Sequence, residues 1–184
     1  KLLLFPSNGS LIHQRAGCTW FAMKNSTLFA LVLSAMFLIS GASSRAENLA
    51  EILESAGLGT LIGTWVDQDT NGQAISLTYT WRIEDRVLGL SIKVPGDNSE
   101  GLIAVDPESG EVMHVSADEN GGVGMGQWAD EGGVATLTLK SVDSDKKEET
   151  VKVSHQIENG KLIVGLKNVT TGDEGKITLV RRSE

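Results

Sequence analysis

Cysteine is almost missing from this sequence: Cys18 is the single one in 184 residues, and none lies beyond it. That excludes from residues 47–184 a disulfide framework, a thiol nucleophile and a thiolate metal site. Histidine is scarce as well. Only His114 and His155 fall in that stretch, too few for a zinc triad. No Gly-x-Ser-x-Gly elbow occurs. The acids gather in turns such as Glu84-Asp85 and Asp130-Glu131, so no inward pair of carboxylates is evident. Gly121, Gly122, Gly124 and Gly126 are dense but precede no helix, so they form no phosphate loop. They suit a hairpin and a sharply bent strand instead. These absences point away from an enzyme, and no cofactor or metal is implied.

Basic residues are also short. All 24 acids but only 12 of the 16 Lys and Arg lie in 47–184, which gives that stretch a formal net charge of −12. Such a surface repels phosphate backbones and anionic lipid, so nucleic acid and membrane surfaces are excluded as partners. Acidity of this kind also serves simply to keep an exported protein soluble.

No apolar run is long enough to span a bilayer, which takes about 20 residues. The longest, Leu28 to Ile39, follows Met23-Lys24 and precedes Ser40-Gly41-Ala42-Ser43-Ser44-Arg45-Ala46. A basic start, an apolar core and a small-x-small ending are the parts of a secretory signal peptide, with cleavage expected after Ala46. A buried helix is the alternative. The expected organisation is an over-extended start over 1–22, a signal peptide over 23–46 and one domain over 47–184, in an exported, periplasmic or extracellular protein. Arg15-Ala16-Gly17-Cys18 precedes the apolar run instead of following it, so no lipid anchor is expected.

Within 47–184, Leu49, Ile52, Leu53 and Ala56 make the apolar stripe of a short helix over 48–56, ended by Gly57 and Gly59. From Leu61 onward the period is two. Ile75, Leu77, Tyr79, Trp81 and Ile83 alternate with Ser76, Thr78, Thr80 and Arg82. Leu88, Leu90 and Ile92 alternate in the same way. Further runs follow at 101–106, 111–117, 122–129, 134–142, 149–158, 161–169 and 175–182, ten in all with 61–65. The connections are tight: Glu84-Asp85, Glu158-Asn159-Gly160 and Thr171-Gly172-Asp173 suit hairpins, and Asp106 to Gly110 a type I turn with a glycine bulge. None is long enough for a crossover helix, so neighbouring strands are antiparallel. The expected fold is all-β, an antiparallel up-and-down β-barrel of ten strands preceded by a short helix. A two-sheet sandwich is the structural rival.

Gly63-Thr64-Trp65, on a first strand preceded by a short helix, resembles the Gly-x-Trp signature of the lipocalin and fatty-acid-binding (calycin) superfamily. The resemblance implies an arginine near the end of the last strand packed over that tryptophan. Arg181 is the candidate, with Arg182 as alternative, and Gly63 would admit the close approach of another backbone. Gly101 to Pro107, then Ser116-Ala117-Asp118-Glu119-Asn120-Gly121-Gly122 and Gly126-Gln127-Trp128, are similar to a lipocalin-like domain of unknown function in exported bacterial proteins, notably of planctomycetes. That likeness covers about residues 60–182. Asn120 replaces the aspartate and His114 the aromatic of that pattern. No catalytic residue is implied.

The resemblance implies an interior able to hold one small apolar or amphipathic molecule. By strand parity Tyr79, Trp81, Met125 and His155 are the inward candidates to line it, although parity is ambiguous around His114, Met125 and Trp128. The alternative is a filled core in a structural or interaction module with no ligand. Haem-binding members of the superfamily use a wall histidine, which makes His155 the haem candidate in a third reading. Asp67, Asp69 and Asn71, before Gly72, fit the opening of a calcium loop, but Thr78 stands where the closing Glu belongs. A polar turn between strands explains the same residues.

Overall fold

The structure, a computed structural model, describes residues 48–183. The expected signal peptide, the over-extended start and Cys18 lie outside the described residues.

Helix α1 spans Leu49–Ser55. Asn48 caps it, its Oδ1 accepting from the Glu51 N–H at 2.8 Å, while the Asn48 N–H donates to Glu51 Oε2 at 3.4 Å. The helix ends as Gly57 takes a left-handed φ of 71° and the Leu58 N–H returns to the Leu53 carbonyl at 2.7 Å.

Ten strands follow. They are β1 (Gly63–Asp67), β2 (Ser76–Ile83), β3 (Val87–Val94), β4 (Asp97–Val105) and β5 (Val112–Asp118), then β6 (Val123–Asp130), β7 (Ala135–Val142), β8 (Glu148–Glu158), β9 (Lys161–Asn168) and β10 (Glu174–Arg181). Each pairs antiparallel with its neighbours in sequence, and β1 pairs with β10 to close the barrel. Closure leaves no strand edge unpaired, the economy that ten half-buried strands require. The sandwich alternative is thereby set aside.

The turns are built by strand-ending carboxylates and amides. Asp118 Oδ1 accepts from the Asn120 and Gly122 N–H groups, Asp143 Oδ1 from those of Asp145 and Lys147, and Asn168 Oδ1 from those of Thr170 and Thr171. Asp106 and Asp130 act in the same way. A side chain that bonds its own backbone two to four residues on makes an Asx turn, so these aspartates have a folding role. At the hairpin between β3 and β4, Gly96 holds φ 83°, the second position of a type II turn after Pro95. That two-residue turn lets β4 begin at Asp97, four residues before the apolar alternation becomes legible in the sequence.

Inside, Trp65, Leu77, Tyr79, Leu88, Leu90, Ile103, Leu162, Val164 and Leu179 join Leu49, Leu58 and Leu61 in one buried cluster. Helix α1 and the segment after it therefore close one end of the barrel, beside Leu88, Ile103, Val112 and Ala135. Ile83, expected to face in, is 60% exposed, because the β2–β3 register shifts between Trp81 and Ile83 and rotates the strand end outward.

Candidate functional site

Two features carry the interior: a seam where the barrel closes, and a cavity beyond it. At the seam, the Trp65 indole is buried and its Nε1 donates to the Leu61 carbonyl at 2.7 Å. The Arg181 guanidinium lies over the ring, its Cζ 4.6 Å from the centroid. It also donates to the Ile62 carbonyl at 2.6 Å and to the Thr60 carbonyl. Gly63, at φ 128°, is required here because a Cβ would collide with Arg181 Nη1. The expectation of a close backbone at Gly63 is corrected: an arginine side chain fills that space.

The cavity occupies about 350 Å³ in the half of the barrel away from α1. Its walls are apolar, with Leu77, Leu90, Ile92, Leu139, Val153 and Ile177 among them. Its floor is aromatic. The Tyr79 hydroxyl lies 2.6 Å from His155 Nε2, and the two rings stand edge to face. Trp128 packs on His155 with centroids 5.0 Å apart, and His114 on Trp128 at 6.3 Å. Beneath that floor, between it and α1, a second space of about 50 Å³ touches Tyr79, Trp128 and His155 from the other side.

The floor is polar chemistry placed in an apolar setting. Burial pushes the Tyr79 hydroxyl well above its ordinary pKa, so it stays protonated. Burial likewise holds His114 and His155 down at about 4, with the charge of His114 a further cause for His155. Both histidines are neutral at pH 7. Three buried nitrogens, His114 Nδ1, Trp128 Nε1 and His155 Nδ1, find no hydrogen-bond partner in the protein. An orphan of this kind costs about 1–3 kcal/mol, and three gathered at one floor are unusual in a native core.

Of the four residues expected to line a pocket, the structure brings Tyr79 and His155 together. Trp81 packs half-buried against the core near the α1 end and lines neither space. Met125 is corrected outright. It is 61% exposed, because on β6 the inward positions are Gly124, Gly126 and Trp128. Position 126 is glycine because a Cβ there would meet the Thr138 carbonyl and lie 2.9 Å from Leu139 Cα. Sequence reading misses His114 and Trp128 as wall residues. Val112, His114 and Ser116 face in while Met113, Val115 and Ala117 face out, and with apolar side chains on both faces of β5 there is no parity signal to read.

The calcium candidates resolve into a turn. Asp67 accepts from the Thr70 N–H at 2.8 Å, from the Thr70 hydroxyl and from the Ile75 N–H at 2.9 Å. Those bonds, the Thr70 hydroxyl first, draw its pKa down to about 2. Both carboxylate oxygens are thus engaged within the chain. Among the described residues no group of three His, Cys, Asp or Glu is placed to share a metal ion.

A larger hollow of about 540 Å³ lies on the outside of β8–β10, but it is open to solvent. Of its lysines, Lys152 and Lys167 pair with Glu131 and Glu174, at 2.5 and 3.7 Å, and Lys176 also lines it. Its charges are thus of both signs and mostly paired.

Compared with known protein families and with curated proteins, the chain matches none.

Proposed function

We propose that the barrel binds one small apolar or amphipathic molecule in its interior. One observation carries the reading: side chains leave about 350 Å³ open in a barrel that could have filled it, and the floor of that space holds three unpartnered nitrogens. The volume is at the small end for ligand pockets. Walls of Leu, Ile and Val supply the affinity. We further propose that the chain is a lipocalin-like member of the calycin barrels, on the strength of Gly63, Trp65 and Arg181, and that it works outside the cytoplasm once residues 1–46 are removed.

The test is uptake of the neutral fluorophore 1-naphthylamine by residues 47–184, together with native mass spectrometry of the protein purified from its host. Saturable fluorescence enhancement, abolished in a Val153→Trp variant that still unfolds cooperatively, is the expected result. A reproducible excess mass that leaves on denaturation would add the ligand class. No enhancement and a bare polypeptide mass would remove the reading, and a mass that included residues 1–46 would remove the export proposal.

A second reading, a module acting through its surface, is favoured by Leu102, Val115 and Met125. They sit opposite one another across β4, β5 and β6, are 43–61% exposed, and form an apolar row on the outer wall. Replacing Met125 by Glu breaks that row without touching the cavity, so unchanged probe uptake in this variant keeps the two readings separate.

A further inference from the structure

The cavity's own charge pattern narrows what it accepts. Among the described residues that line it, the single charged one is Glu100, and its carboxylate lies 3.6 Å from Arg82 on the outer face. Those lining residues include no lysine or arginine. The cavity runs from the aromatic floor to Val94, Ser99, Leu139 and Leu166 at the end away from α1. The turns at that end, which follow β1, β3, β5, β7 and β9, carry Asp69, Glu119, Asp143, Asp145 and Asp173 against Lys146 and Lys147. An anion entering there crosses an acidic rim and arrives among apolar walls with no counter-charge. Burying an isolated carboxylate in such a place is strongly unfavourable, because the lost hydration is not replaced.

Besides Glu100, the polar side chains along the cavity include the hydroxyls of Ser99 and Ser116, which donate to or accept from an uncharged head group but supply no counter-charge.

We infer that the cavity selects an uncharged amphipathic molecule and rejects carboxylates of the same chain length. The inference rests on the reading of the barrel as a binder. At a liquid-water share of about 30 Å³ per heavy atom, the space holds on the order of a dozen heavy atoms. A ten-carbon chain with a one-oxygen head is of that size.

The experiment is displacement of 1-naphthylamine at pH 7.5 by 1-decanol, decanoate and decylammonium. Decanol is expected to bind at least about tenfold more tightly than decanoate, the ratio that 1.4 kcal/mol produces. Replacing Glu100 by Gln removes its charge from the cavity wall and should narrow that ratio several-fold. Decanoate binding as tightly as decanol would overturn the selectivity and leave the binder standing. Decylammonium binding most tightly would overturn it too, since the rim would then set the preference. If the probe itself does not bind, the binder reading fails and the inference with it.

Discussion

Trp65 and Arg181 are opposite each other in register across the β1–β10 seam, and the guanidinium of one lies over the indole of the other. The same arginine reaches two carbonyls of the segment that leads from α1 into β1. One side chain thus ties the last strand, the first strand and the end plug. Arg181→Ala removes a cation–π contact and two charge-assisted hydrogen bonds, a loss of about 1.5–3 kcal/mol. Thermal unfolding should shift down by about 5–10 °C for a domain of this size. Arg181→Lys should recover less than half of that, because an ammonium lacks the planar fork that stacks and reaches both carbonyls.

The Tyr79–His155 pair is set up for a double-mutant cycle. Tyr79→Phe strips His155 Nε2 of its partner, and His155 Nδ1 already has none. Urea unfolding should show a loss of about 1–3 kcal/mol. Adding His155→Leu to the Tyr79→Phe variant replaces a half-satisfied polar pair by apolar groups, and should recover part of that loss. Equal and additive losses would show that the pair is not coupled.

Buried neutral histidines also tie stability to pH. His114 and His155 titrate near 4 when folded against an ordinary 6.5 when unfolded. Between those values the unfolded chain binds more protons, so stability is complete above about pH 6.5 and falls as pH drops toward 4. The loss is on the order of 3 kcal/mol per histidine. Urea midpoints measured from pH 8 to pH 4 should stay level at first and then decline. The decline should be about half as steep in His155→Leu.

Glycines on the barrel wall divide into two kinds. Gly126 has backbone where a Cβ would go, so Gly126→Ala must push β6 away from β7, at a cost of about 1–3 kcal/mol or more. Gly175 on β10 has open space at the same position. Gly175→Ala should be neutral or slightly stabilising, since it only narrows the unfolded chain's freedom. Chemical denaturation of the two variants side by side distinguishes a packing requirement from mere composition.

The barrel is legible in the sequence because β2, β3, β7 and β8 alternate cleanly, and turns with Asn159-Gly160 or Thr171-Gly172-Asp173 leave no room for crossovers. The seam is legible too, since Trp65 and Arg181 sit at the ends of the chain's strand pattern. The floor is not. Tyr79 and His155 lie on strands of clear parity, but β5 is apolar on both faces and β6 alternates glycine with larger side chains. A missing side chain gives no hydropathy signal, so hydropathy turns Met125 inward where Gly124, Gly126 and Trp128 in fact face in. Which inward side chains leave a void is a property of summed volumes across ten strands, and no single stretch of sequence contains it.

Closure has a kinetic consequence. The seam joins residues 116 positions apart in the chain, Trp65 and Arg181. Every other strand pair is a local hairpin that forms early, whereas the first strand waits for the last. Until β10 is present, β1 and β9 are both bare edges and the Trp65 indole has no cover. A chain cut or stalled short of Glu174 therefore keeps both edges open, and the barrel locks only when its last strand arrives.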